Sequence, residues 1–117
     1  MNHLELLERK SRLWHIERAA GKAVALIADK TNEAYEGDDL LRDAVAMQLI
    51  RIGEALPRAL QVHPELAQHI SDTSQIVSLG NQLLRNYPGI DDERVWDIVT
   101  TDLPVLLREV RALLAAS

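Results

Sequence analysis

Apolar residues recur along the chain at intervals of three and four, the spacing that places them on one face of an α-helix. The first stripe predicts a helix from about Asn2 to about Lys30. A polar break from Thr31 to Gly37 separates it from a second helix near Asp38 or Asp39, because either carboxylate can cap exposed backbone N–H groups. The apolar positions of these two helices are Leu13, Ile16, Ala20, Val24 and Ile27, then Leu41, Val45, Leu49, Ile52, Leu56 and Leu60.

The second half of the chain shows the same pattern in shorter segments. His63-Pro64 predicts the start of a short helix that reaches about Ile70, and Ser71 to Thr73 offers caps for the next helix. That helix ends at Asn86-Tyr87-Pro88-Gly89, and a last helix starts near Asp91 or Asp92. No segment has the pattern of a strand. We therefore expect an all-α fold, an antiparallel bundle of four to five helices in one domain spanning residues 1–117.

Prolines and glycines interrupt these predicted helices. Pro57 and Pro104 lack a backbone N–H, so a kink is expected at each. Gly53 and Gly80 lie inside helices, where glycine costs about 1 kcal/mol relative to alanine. Each should therefore be compensated by a close contact. We expect a neighbouring helix at Gly53, and at Gly80 the two-fold interface of a symmetric dimer.

Composition narrows the class of protein. Hydrophobic residues make up 47% of the chain, aromatic residues only 3%, and Phe is absent, which suits a helical core. The absence of cysteine excludes disulfides, Cys-ligated zinc and thiol catalysis, and it suits the cytoplasm. No apolar run approaches the roughly 18 residues that span a bilayer, and the charged N-terminal segment is unlike a signal peptide. We therefore predict a cytoplasmic protein with no membrane partner.

The net charge of −5 disfavours strong, non-specific binding to nucleic acid, and no DNA partner is expected, although a local basic patch is compatible with it. Metal ligation also has little support, because the four histidines show no zinc-type spacing. The serines lie in no nucleophile-elbow context, and the glycines are scattered rather than gathered in a phosphate-binding loop. The acidic residues that precede the predicted helices are interpreted as helix caps. The sequence therefore predicts neither a metal nor a cofactor.

The segment from Ser78 to Asp91, SLGNQLLRNYPGID, is the most informative stretch of the chain. Asn81 and Arg85 are four residues apart, so they share one helix face, and Tyr87 follows where the helix ends. From spacing alone, the favoured interpretation is a polar helix end with Arg85 near the negative end of the helix dipole.

The same segment resembles the active-site region of the HepT-like branch of HEPN-domain proteins. The family pattern there is R-N-x-x-x-H-x-Y, then a turn with I-D, then V-W-x-I and D-L-P. The matching residues are Asn81, Tyr87, Ile90-Asp91, Val95-Trp96-Asp97-Ile98 and Asp102-Leu103-Pro104. Further similarity occurs at Arg42-Asp43-Ala44-Val45, Ile52-Gly53-Glu54-Ala55 and His63-Pro64-Glu65. The resemblance covers about residues 10 to 115.

This resemblance implies metal-independent RNA cleavage across a dimer interface, with a histidine that activates a ribose 2′-OH and an arginine that stabilises phosphate charge. Here the family's arginine falls on Gly80 and its histidine on Arg85. A guanidinium stays protonated, so Arg85 cannot exchange a proton, although it can still bind phosphate. We therefore expect cleavage to be weakened or lost, with Asn81 and Arg85 as the remnants of the catalytic motif. Whether the chain is an enzyme is left open.

The resemblance also implies the toxin half of a toxin–antitoxin pair. The antitoxin partner would be a minimal nucleotidyltransferase, which in some systems attaches adenylate to the motif tyrosine, here Tyr87. We expect a homodimer that binds this partner, with RNA as a further candidate. Two alternatives stay open: a non-catalytic substrate-binding or regulatory subunit of a nucleotidyltransferase, and an unrelated helical adaptor.

A second arginine–histidine pair, Arg58 and His63, has a spacing similar to that of the motif. Pro57 and Pro64 bracket this pair in what we expect to be a loop region, and no Asn or Tyr follows at the required distance. The pair is therefore a weaker candidate for catalysis.

Overall fold

The computed structural model describes residues 1–116, and within that range every regular element is helical. The all-α prediction is confirmed. The six α-helices are α1 (His3–Ile27), α2 (Asn32–Glu36), α3 (Asp39–Val62), α4 (Ser74–Asn86), α5 (Asp92–Asp97) and α6 (Leu103–Ala116). Short 3₁₀ turns at Pro64–Gln68 and Tyr87–Gly89 follow α3 and α4, and a π-helical turn at Ile98–Asp102 joins α5 to α6.

Side-chain oxygens cap the helices at the positions that the sequence offers. Asn2 accepts a hydrogen bond from the backbone N–H of Glu5 at 2.8 Å. Asp38 accepts one from Leu41 at 3.1 Å, and Asp91 accepts one from Glu93 at 3.0 Å. These bonds satisfy backbone donors that have no partner inside the helix. The capping interpretation of Asp38 and Asp91 is confirmed.

The core is a continuous cluster of apolar side chains between α1, α3, α4 and the α5–α6 segment. Helix α3 is central, because it packs against both α1 and α4. The fully buried residues include Leu13, Ile16, Val45, Leu49, Ile52, Leu56, Leu79, Leu103 and Val110. Those on α1 and α3 belong to the predicted apolar stripes, so burial of one face explains why these two long helices form. None of the helices in residues 1–116 has the length and apolar character that crossing a membrane demands.

The sequence patterns do not predict α2, which lies in the expected polar break. The Thr31 hydroxyl accepts a hydrogen bond from the Ala34 backbone N–H at 3.1 Å and so caps its start. Tyr35 is only 2% exposed, and its ring centroid lies 5.6 Å from that of Trp96. The buried Tyr35 thus joins α2 to α5, and α2 also contacts α3. A five-residue helix is too short to show a periodic stripe, so its sequence resembles a loop.

The two prolines act differently. Pro104 cannot donate to the carbonyl of Thr100, and the helix widens just before it, where the backbone N–H of Leu103 donates to the Ile98 carbonyl. The predicted distortion at Pro104 therefore takes the form of a π-helical turn. Helix α3, by contrast, continues through Pro57 and ends only at Val62.

A backbone crossing of α3 and α4 occurs at two glycines. A Cβ atom added to Gly80 would lie 2.6 Å from the carbonyl oxygen of Leu49, and one added to Gly53 would lie 3.1 Å from the Gly80 Cα. The close helix approach predicted at Gly53 is confirmed. For Gly80 the expected reason is corrected: its close contact is made inside one chain, where Gly80 is buried, instead of across a dimer interface. The dimer itself stays a prediction.

We expect Gly80→Ala to lower the free energy of unfolding by about 1–3 kcal/mol, because the added methyl group meets backbone atoms that cannot rotate away. Urea unfolding of the purified protein measures this change. Gly21→Ala in α1 is the matched control, since a Cβ there would meet nothing closer than the Arg111 guanidinium at 3.5 Å. It should stabilise the helix by up to about 1 kcal/mol. Equal effects of the two substitutions would contradict the crossing.

Candidate functional site

Helix α4 presents the residues of the motif on two different faces. Asn81 and Arg85 are exposed on the same face, as their spacing predicts, and the Arg85 Nε donates to the Asn81 carbonyl oxygen at 3.4 Å. Gly80 lies on the buried face against α3. The structure therefore brings Asn81 and Arg85 together and separates both from the position of the family's arginine. A catalytic role of these two residues stays a prediction.

A shallow pocket of about 320 Å³ surrounds the end of α4 and is lined by Gln82, Arg85, Asn86 and Ile90. The Gln82 side-chain oxygen accepts a hydrogen bond from the Arg94 guanidinium, so this amide is already held in place. None of the four lining side chains can exchange a proton near neutral pH. The pocket can hold an anion at Arg85, but its lining contains neither a general acid nor a general base.

Tyr87 begins the 3₁₀ turn after α4, and its phenol donates a hydrogen bond to Asp43 on α3. Arg42, next to Asp43, forms ion pairs with Asp39 and, at 3.9 Å, with Asp92. With Pro88 and Ile90, these side chains line a pocket of about 400 Å³. The structure thus places the motif tyrosine in a second, strongly polar site beside the end of α4.

Sequence patterns do not predict the hydrogen bond between Tyr87 and Asp43. The two residues are 44 positions apart, and no helical spacing relates them. The sequence signal for Asp43 is indirect: Arg42-Asp43 belongs to the second-helix segment that resembles the family, but the resemblance assigns this pair no role.

The environment of Tyr87 keeps its phenol neutral at ordinary pH. Burial raises its pKa, and so do the hydrogen bond to Asp43 and the negative charge of that carboxylate, to about 12 in all. Arg42 opposes this shift more weakly. The phenol, which belongs to a side chain that is 39% exposed, is therefore a hydrogen-bond donor that needs a base to become a nucleophile.

The Arg58–His63 pair does not form a site. Arg58 lies in α3 instead of the expected loop, is exposed, and donates to Gln61 at 3.3 Å. His63 is 4% exposed at the end of α3, and its Nδ1 lies 3.9 Å from a carboxylate oxygen of Glu65. The buried imidazole cannot reach a substrate on the exposed arginine. In residues 1–116, no group of three or more His, Asp or Glu side chains could hold a metal ion.

We expect Asp43→Asn to lower the pKa of Tyr87 from about 12 toward the ordinary value of about 10, because the substitution removes the carboxylate charge. Near-ultraviolet absorbance during an alkaline titration measures this pKa. Burial also raises the pKa of Tyr35, the other tyrosine. Tyr87→Phe is the control, because the absorbance change that remains in this variant comes from Tyr35.

The raised pKa of Tyr87 also makes the stability of the folded chain depend on pH. Between about pH 10 and pH 12 the unfolded chain loses a phenolic proton that folded Tyr87 retains. The stabilisation is therefore complete below about pH 10 and is lost as pH rises toward 12.

An unchanged titration in Asp43→Asn would show that the carboxylate does not contact the phenol.

Comparisons with known proteins agree with the motif. The model of a family described as ribonuclease HepT-like matches residues 16–113. A Methanocaldococcus jannaschii protein named as a gamma-glutamylcyclotransferase and, provisionally, an RNase is 30% identical over 82 residues. That match covers 70% of this chain but only 36% of the relative, so the chain spans about a third of its length. No solved structure matches. With its all-α, HEPN-like bundle and a family match over most of its length, the chain belongs to the HepT-like ribonuclease family.

Proposed function

We propose that this chain is the RNase-type subunit of a toxin–antitoxin pair in which RNA cleavage is weakened or lost. In this proposal it forms a homodimer and binds a nucleotidyltransferase antitoxin. One observation carries the proposal: the two positions that would supply the imidazole and the phosphate-binding guanidinium hold Arg85 and Gly80. Membership of the HepT-like family supports the RNase-type ancestry.

The packing around Gly80 leaves no room for an arginine side chain at this position. A Cβ atom at this position would lie 2.6 Å from the Leu49 carbonyl oxygen and 3.1 Å from the Gly53 Cα. An arginine at position 80 would therefore force α4 away from α3. The guanidinium that the family uses on phosphate cannot be supplied from here while the helices keep this crossing.

Arg85 supports binding but not proton transfer. Its guanidinium has no carboxylate partner within residues 1–116 and uses only its Nε on the Asn81 carbonyl, so the two Nη groups are available to phosphate oxygens. A ribose 2′-OH, however, must lose a proton before it attacks phosphorus, and a guanidinium cannot accept one. The end of α4 can thus hold an RNA phosphate without cleaving the strand.

Tyr87 supports the second part of the proposal, modification by the nucleotidyltransferase. The phenol oxygen would attack the α-phosphorus of a nucleoside triphosphate and form a new O–P bond. The bond from that phosphorus to the bridging oxygen would break, and pyrophosphate would leave. Asp43, which already accepts the phenol's hydrogen bond, would take the proton.

The cleavage part is tested with purified protein, single-stranded RNA and transfer RNA in the presence of a chelator. We expect little or no cleavage above the buffer control, for either the unaltered chain or Arg85→His, because position 80 still lacks its arginine. Robust cleavage in the presence of the chelator that Asn81→Ala or Tyr87→Phe abolishes, but that Arg108→Ala on exposed α6 does not, would contradict the proposed weakening or loss of activity.

The partner part is tested by looking for a nucleotidyltransferase gene beside the one for this chain, co-expressing the two proteins, and measuring the intact mass of the chain. We expect a nucleotidyl adduct that is absent in Tyr87→Phe, retained in Tyr35→Phe, and formed roughly 100-fold more slowly in Asp43→Asn. Light scattering should show twice the monomer mass. A monomer, or the absence of both a neighbouring nucleotidyltransferase gene and a complex, would count against this part.

A further inference from the structure

A cleft of about 470 Å³ lies between α1 and α3, and it gathers positive charge in an acidic protein. Five basic side chains and one carboxylate line it: Arg12, Arg18, Lys22, Arg51, Arg58 and Glu54. The whole chain has only 13 Lys and Arg residues and a net charge of −5. The cleft is therefore the local basic patch that the overall charge does not reveal.

Helical spacing creates this cleft. On each helix the lining residues recur at intervals of three and four, so they form one stripe on α1 and another on α3. Ala19 and Ala55 contribute small side chains to the lining, between longer ones. Both stripes line the same cleft, so they face each other.

Most of this positive charge is not neutralised inside the chain. Arg12 pairs with Glu8 at 2.8 Å, but Arg18, Lys22 and Arg51 have no carboxylate partner within residues 1–116. Like charges held along one cleft repel each other, and an anion bound between them relieves this repulsion. The cleft is thus built to receive an anion with more than one negative charge.

Two further side chains indicate what else the anion carries. Trp14 is 48% exposed beside the cleft, with the Arg18 guanidinium 5.0 Å from its ring centroid and the His15 ring edge-on to it. An exposed indole next to basic side chains is a stacking surface for a nucleobase. Gln48 lines the cleft, is 8% exposed, and its buried carboxamide oxygen has no hydrogen-bond partner among the described residues. A base with an amino group supplies the donor that this oxygen lacks.

We propose that the α1–α3 cleft binds a nucleotide. Arg18, Lys22 and Arg51 hold the phosphates, Trp14 stacks on the base, and Gln48 accepts a hydrogen bond from its amino group. The same chemistry occurs in a free adenine nucleotide and in one unit of an adenine-containing RNA strand. The site lies on the face of α3 opposite the crossing with α4, so it does not depend on the proposed cleavage or on Tyr87.

Isothermal titration calorimetry of the full chain with ATP, an oligoadenylate RNA, tripolyphosphate and polyglutamate tests the proposal. We expect ATP or the RNA to bind more tightly than the other two probes, with affinity falling as salt rises. Arg18→Glu combined with Arg51→Glu should weaken binding by roughly tenfold or more. The matched control combines Lys30→Glu with Arg108→Glu, which changes the net charge equally at exposed positions outside the cleft.

Two single substitutions test the contacts to the base. Trp14→Ala should weaken ATP binding several-fold and leave tripolyphosphate binding unchanged. Gln48→Met should weaken ATP binding while raising the melting temperature, because it removes an unpaired buried oxygen. If the charge-reversed double variant does not fold, Lys22→Gln replaces it, with Lys30→Gln as its control.

The remaining outcomes decide the proposal. Tighter binding of ATP identifies a free nucleotide as the ligand, and tighter binding of the RNA identifies a strand. The proposal is overturned if neither binds, if tripolyphosphate binds as tightly as ATP, or if the control weakens binding as much as the cleft variant. Tightest binding by polyglutamate also overturns it and assigns the cleft to an acidic peptide.

Discussion

The backbone contact between Gly53 and Gly80 determines how α4, with Asn81, Arg85 and the following Tyr87, lies against α3. It leaves 3.1 Å between a Cβ on one glycine and the Cα of the other, so α3 and α4 meet without intervening side chains. Helix α4 is thereby held close against α3, with Asn81 and Arg85 on its exposed face. The same contact brings the end of α4 to the start of α3, where Tyr87 reaches Asp43.

Because α4 covers one face of α3, the opposite face is left to α1, and the two faces differ in chemistry. Near α4, carboxylates and a neutral phenol surround Arg42, and the positive charge is balanced by ion pairs. Near α1, Arg18, Lys22 and Arg51 have no acidic partner within residues 1–116, and Arg18 lies against an exposed indole. One central helix therefore separates the pocket that contains the Tyr87 phenol from the basic cleft.

The long helices could be predicted because their information is local. Burial of one face repeats every three to four residues, and caps and prolines mark the ends. Helix α2 could not be predicted, since its stability depends on the contact of Tyr35 with Trp96, which is 61 residues away. The contact predicted for Gly80 was wrong for the same reason: Gly53, which Gly80 contacts in space, lies on another helix. Asn81 and Arg85 share a face because they are one helical turn apart, whereas the Tyr87–Asp43 bond depends on tertiary packing.

Glycine at position 80 and the tightness of the α3–α4 crossing are one structural fact. Glycine at position 80 permits the Leu49 carbonyl to approach where a Cβ would lie, and that approach in turn excludes any larger residue. Restoring the motif therefore requires more than replacing two residues: the crossing must open, which displaces the packed apolar side chains around Leu49 and Leu83. A histidine at position 85 alone adds a proton-exchanging group beside a phosphate site that still lacks its arginine. For this reason the packing between α3 and α4 stabilises glycine at position 80 against substitution.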